Sequence, residues 1–96
     1  MADFFLRPKA RQDLEDIWFY TYETWGEDQA DSYIHDLNSG FLALAAKPEK
    51  GRPCDDIREG YRRHSVGRHI IFYRVTKKGI EIVRILHQSM DPERHF

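Results

Sequence analysis

Ninety-six residues are too few to bury two separate cores, and 41% hydrophobic with 14% aromatic side chains is too apolar for a disordered chain. No run approaches the roughly 20 apolar residues that cross a bilayer, the N-terminus lacks the pattern of a signal peptide, and the lone Cys54 offers neither an internal disulfide nor a zinc framework. A net charge of −1 argues against indiscriminate nucleic-acid binding, but the charge is segregated: nine acidic against three basic groups in residues 1–46 (net −6), eleven basic against five acidic in 47–84 (net +6). The expectation is one domain over 1–96 in a reduced, cytoplasmic setting; the charge segregation suggests a surface directed at an anionic partner, the plainer alternative being two solvated faces that happen to differ.

Ala2–Leu6 is a short apolar run closed by Arg7-Pro8, read as an opening strand, and Pro8 suits the first turn of a helix, where a missing N–H costs nothing. Ala10, Leu14, Ile17, Trp18, Thr21 and Trp25 recur at helical spacing within roughly 100° of arc, which predicts one buried stripe up to Gly26. If Trp18 is core, truncation to alanine costs about 3–5 kcal/mol. Phe19 falls on the opposite, polar side with Asp16 and Glu23, and Tyr20 and Tyr22 flank the stripe; such an aromatic excess suits docking a partner, while a lone exposed phenylalanine is also ordinary. Ala30, Tyr33, Ile34, Leu37, Phe41 and Leu44 repeat the pattern before Lys47-Pro48, giving a second helix that folds back as an antiparallel hairpin. Gly40 within it either admits a close neighbour or is tolerated at about 1 kcal/mol.

After a loop over 47–56 the period shifts from 3.6 to 2. Tyr61–Val66, His69–Thr76 and Ile80–Leu86 are rich in β-branched and aromatic residues, with hairpin-sized breaks at Gly67-Arg68 and Lys77-Lys78-Gly79. The order β-α-α-β-β-β predicts an α+β fold, an antiparallel sheet packed against an N-terminal helical hairpin. No P-loop, glycine-rich dinucleotide motif, metalloprotease motif or paired cysteines occur, and the five histidines show no metal-ligand spacing, so neither a cofactor nor a metal is expected. The strands hold Arg62, Arg63, Arg74 and Arg84 near His64, His69 and His87. Such a set could grip phosphates and move protons in RNA cleavage. Spacing alone favours the plainer reading, in which these arginines pair with Glu59, Glu81 and Asp91 or face an acidic protein segment.

Ile82-Val83-Arg84-Ile85-Leu86-His87-Gln88-Ser89-Met90-Asp91 resembles the ending of ParE toxins, in the RelE/ParE superfamily of type II toxin–antitoxin systems. Ala10-x-x-Asp13-Leu14-x-x-Ile17-Trp18-x-Tyr20, Leu44-Ala45-x-x-Pro48-x-x-Gly51-Arg52, Gly60-Tyr61-Arg62 and His69-x-Ile71-x-Tyr73-Arg74-Val75 extend the resemblance along nearly the whole chain. It implies a growth-arresting, non-catalytic toxin that traps DNA gyrase on cleaved DNA. A ParD-like antitoxin would silence it and would alone contact operator DNA. No membrane and no cofactor are implied. On that footing Leu14, Trp18, Phe19, Tyr22, Arg63, Arg74 and Arg84 are candidate antitoxin contacts, and Arg63, Arg84, His87, Met90 and Asp91 are candidates for toxicity. The alternative is a ribosome-dependent mRNA endoribonuclease resembling RelE or YoeB, for which Arg84, His87 and Arg63 would be catalytic. The net charge of −1 and the lack of any tyrosine after Tyr73 weigh against it.

Overall fold

A computed structural model describes residues 3–96. Strand β1 (Asp3–Leu6) leads into helix α1 (Pro8–Trp25) and helix α2 (Glu27–Ala46), followed by strands β2 (Arg52–Pro53), β3 (Tyr61–Val66), β4 (His69–Thr76) and β5 (Gly79–His87). Ala2, placed in the opening strand on sequence grounds, lies outside the described residues. Single 3-10 turns cover Pro48–Lys50 and Pro92–Arg94.

Helix α1 begins at Pro8 and stops where Gly26 takes φ +96°, a backbone state that a side chain would strain. This single residue reverses the chain, so α2 starts at Glu27 and lies back along α1, with Glu27 and Asp28 favourably placed at its positive end. The five strands form one sheet in the order β1-β5-β4-β3-β2. The three long strands are the expected antiparallel meander, and β1 joins parallel to β5 from Asp3↔Gly79 to Leu6↔Ile82. The two-residue β2 was not foreseen. Pro53 is tolerable there because the strand forms the sheet edge.

The helical hairpin covers one sheet face, where Ile17, Leu37, Phe41 and Leu44 meet Ile71, Tyr73, Ile80, Ile82 and Ile85. The reverse face holds a smaller cluster of Cys54, Ile70, Phe72 and Leu86, partly covered by Ile57, Tyr61 and Phe96. Burial on both faces accounts for the nearly unbroken apolar runs of β4 and β5. Gly40 is a close-packing position, since a Cβ there would lie 2.9 Å from Val66 Cγ2 and 3.4 Å from Ile71 Cδ1. Gly51 is another. Tyr73, fully buried, receives the Gly51 N–H on its hydroxyl (2.9 Å) and donates to the Pro48 carbonyl (2.6 Å), leaving no room for a side chain at 51.

The expected α1 stripe is only partly buried. Ala10, Ile17 and Thr21 are enclosed, but Trp25 is 71% exposed and Trp18 is half-buried. Helical periodicity aligns all six residues, but the buried part of α1 stops at Thr21, and the last turn runs beyond what would cover Trp25. Trp18 is drawn toward α2, where its indole N–H donates to Asp31 (2.9 Å).

Candidate functional site

The outer flank of α1 presents a small aromatic surface. Trp18 stacks on Tyr22 one turn later (centroids 5.0 Å apart, planes at 8°) and meets Phe19 edge-on at 5.4 Å. The i, i+4 spacing brings the first pair together, and the hydrogen bond to Asp31 fixes the indole. Phe19 is 59% exposed, as its position off the apolar stripe predicted, and Tyr22 is also exposed. Leu14 does not belong to this flank: it packs, partly buried, against the helix-side core.

Arg84 is committed to an internal contact. Its Nε and Nη2 donate to the two carboxylate oxygens of Asp13 on α1 (2.8 and 2.9 Å), and Nη1 donates to the His95 carbonyl (3.0 Å). Both side chains are mostly buried, at 15% and 12% exposure. The need arises from the sheet. β1 ends opposite Ile82, so β5 continues without a strand on that side, and Asp13 accepts the Ile85 N–H (2.9 Å) in its place. The carboxylate stabilises the guanidinium and raises its pKa further. Arg84 thus holds α1, β5 and the C-terminal turn together.

Arg74 shares Glu81 with Arg7 (2.7 and 2.8 Å), one of the pairings that the strand spacing suggested. The bridge, led by the Arg7 hydrogen bond, holds the Glu81 carboxyl below its usual range. Arg63 lies on the reverse face, half-buried with its guanidinium 5.8 Å from the Phe72 ring centroid, and forms no ion pair among the described residues. Asp91 accepts from the Glu93 amide (3.1 Å) and so caps the last turn, while Met90 is 46% exposed. Cys54 is buried, and burial pushes its thiol pKa up, against nucleophilic use.

His87 sits on the helix side, at the end of β5. Its ring meets His69 edge-on (5.3 Å), and His69 Nδ1 lies 2.5 Å from the Tyr33 hydroxyl of α2. Burial, reinforced by His87, pushes the His69 pKa down to about 4. Ser89 closes the cluster, with its hydroxyl 2.7 Å from His87 Nδ1. Sequence reasoning took Tyr33 as core only and gave Asp13 no role. Tyr33 had no distinguishing signal, because its helical position is equally that of a core residue. Asp13 was visible as part of the Ala10-x-x-Asp13-Leu14 motif, but its partner is 71 residues away.

The model of a family described as "ParE toxin of type II toxin-antitoxin system, parDE" matches residues 4–92. The chain is 50% identical over 94 residues to Toxin ParE1 of Mycobacterium tuberculosis, covering 97% of this chain and 96% of that protein. It is 41% identical over 96 residues to Toxin ParE1 of Caulobacter vibrioides, covering 100% and 99%. In fold it resembles a solved chain titled "Chromosomal ParDE TA system from P. aeruginosa", with a TM-score of 0.78 at 22% identity over 91% of this chain and 96% of that one.

Proposed function

Because the chain belongs to the ParE toxin family of type II toxin–antitoxin systems, we propose that it arrests growth by trapping DNA gyrase on cleaved DNA and is silenced by direct binding of a ParD-like antitoxin. The family match across residues 4–92 carries this reading. The toxin acts in the cytoplasm, where gyrase works, and reaches operator DNA only through the antitoxin. It acts by contact and catalyses no reaction. The commitment of Arg84 to Asp13 supports this, because a cleavage site needs an arginine free to meet the scissile phosphate. Strand alternation also puts Arg63, beside Phe72, on the face opposite His87, which pairs with His69.

The flank of Phe19 and Tyr22, with the half-buried Trp18 between them, is the antitoxin contact on the helices, and Arg63 is its charge partner on the sheet, whereas Arg74 is already held by Glu81. Leu14 and Arg84 contribute by holding α1 in place.

The test is a purified-gyrase reaction on supercoiled plasmid with ATP, adding the protein with and without its antitoxin. Linear DNA released by protease, and suppressed by the antitoxin, is the expected result. Unaffected gyrase, together with mRNA cleavage on translating ribosomes that disappears in His87→Ala, would replace this reading with the endoribonuclease one.

A further inference from the structure

On the other flank of α1 from Trp18, Phe19 and Tyr22 lies a groove of about 690 Å³. Ile17, Tyr20 and Trp25 from α1 and Met90 from the turn after β5 form its carbon-rich walls. Tyr20 and Trp25 are 70% and 71% exposed, a large aromatic area for a small chain to leave in water.

The head of the groove is polar, formed by Arg68, His69 and His87. The Ser89 amide donates to His87 Nδ1 (3.1 Å), so that nitrogen is an acceptor and the ring proton is assigned to Nε2. The Tyr33 hydroxyl accepts from the Arg68 amide (3.1 Å), donates to the Val66 carbonyl (3.2 Å) and lies 2.5 Å from His69 Nδ1. With that proton on the Val66 carbonyl, the Tyr33 oxygen accepts from both the Arg68 amide and His69 Nδ1, so the His69 ring is tied into the wall of the groove. Among the described residues the His87 Nε2–H has no protein acceptor, the Arg68 guanidinium is in no ion pair, and no buried side-chain polar atom lacks a partner. Two donor groups, the His87 Nε2–H and the Arg68 guanidinium, therefore face water at one end of an apolar groove.

We propose that this groove is a second antitoxin subsite, which receives one apolar side chain between Trp25 and Met90 and an adjacent carboxylate at the Arg68–His69–His87 head. It rests on the antitoxin reading above. The unmatched His87 N–H and the guanidinium select an anion, and carbon walls select hydrocarbon. A carboxylate next to an apolar side chain is peptide chemistry. Asp16 also lines the groove and disfavours an occupant charged along its whole length, such as a nucleic acid. The antitoxin segment thus crosses α1 and touches both of its flanks.

Two measurements on the toxin–antitoxin complex test this. A photo-crosslinking benzophenone amino acid at position 90 should link to an antitoxin peptide in which Asp or Glu adjoins an aliphatic or aromatic residue. Toxin–toxin linkage, no linkage, or linkage to a peptide without an acidic residue overturns the proposal. Arg68→Ala and Trp25→Ala, with the fold checked by circular dichroism, should each raise the antitoxin dissociation constant at least about tenfold. Native affinity in both, with weakened binding in Phe19→Ala, overturns the groove subsite and leaves the helix-flank contact standing. Native affinity in all three overturns both.

Discussion

Asp13→Ala is the most informative single perturbation of the fold. The carboxylate serves three donors: Nε and Nη2 of Arg84 and the N–H of Ile85. Its removal leaves a guanidinium at 15% exposure without its counter-charge and the Ile85 amide, past the end of β1, without an acceptor. Breaking a buried pair from one side costs about 3–5 kcal/mol, and this pair belongs at the lower end because water can still reach it. The expected loss is therefore about 3 kcal/mol, a large share of the roughly 5–15 kcal/mol that holds a small domain together. Asp13→Asn keeps an acceptor for Ile85 and should lose less, about 1.5–3 kcal/mol. Urea unfolding of Asp13→Leu, Arg84→Met and the double variant Asp13→Leu/Arg84→Met gives the coupling. Replacing both partners by hydrocarbon should restore much of the stability lost in either single variant. A loss below about 0.5 kcal/mol in Asp13→Ala, or strict additivity across the cycle, would refute the assignment of Arg84 as an internal clamp.

Stability should also depend on acid through His69. Its folded pKa of about 4 lies below the unfolded value of 6.5, so the unfolded state binds the proton first, and stability present above pH 6.5 is lost as pH falls toward 4. The gap is worth roughly 3 kcal/mol, and His69→Phe should flatten that part of a urea-midpoint profile, whereas an unchanged slope would show that another group titrates there. Tyr73→Phe deprives the Gly51 amide and the Pro48 carbonyl of their shared partner and should cost about 1–3 kcal/mol in thermal unfolding; no change would mean that water replaces the hydroxyl. Trp18→Ala should cost about 1–2 kcal/mol, below the core value, because the indole is half-buried and held by one stack and one hydrogen bond; a loss above about 4 kcal/mol would put Trp18 back in the core.

Periodicity made most of the fold legible. The 3.6 and 2.0 patterns located both helices and the three-strand meander, because each element buries a face whose residues are neighbours in sequence. The places that departed from the pattern depend on distance in space. Trp25 shares the helical phase of Ile17, but periodicity does not show where the opposing surface ends. β2 is too short to have a period, and its pairing comes from Arg62 and Arg63 across the loop. The site was less legible. The exposed aromatic flank could be read because Phe19 is out of phase with its own helix. The Tyr33–His69–His87 cluster could not, because its members come from three elements and each alone looks like an ordinary core or strand residue.

The placement of the arginines changes how loss-of-toxicity variants should be interpreted. Arg84 lies in the most recognisable stretch of the sequence and carries the chemistry expected of a target contact, but its guanidinium is spent on Asp13 and the His95 carbonyl. An Arg84 variant that loses toxicity is therefore expected to have lost the α1–β5 junction first, and growth alone cannot separate the two causes. Arg63 and Arg68 differ, since both side chains are outside the ion pairs of the described residues and neither is needed to close the core. In this chain the informative cations are those left unpaired. A signature residue that is fully hydrogen-bonded from within owes its place to folding, and contact with a partner must be sought among the residues the fold leaves open.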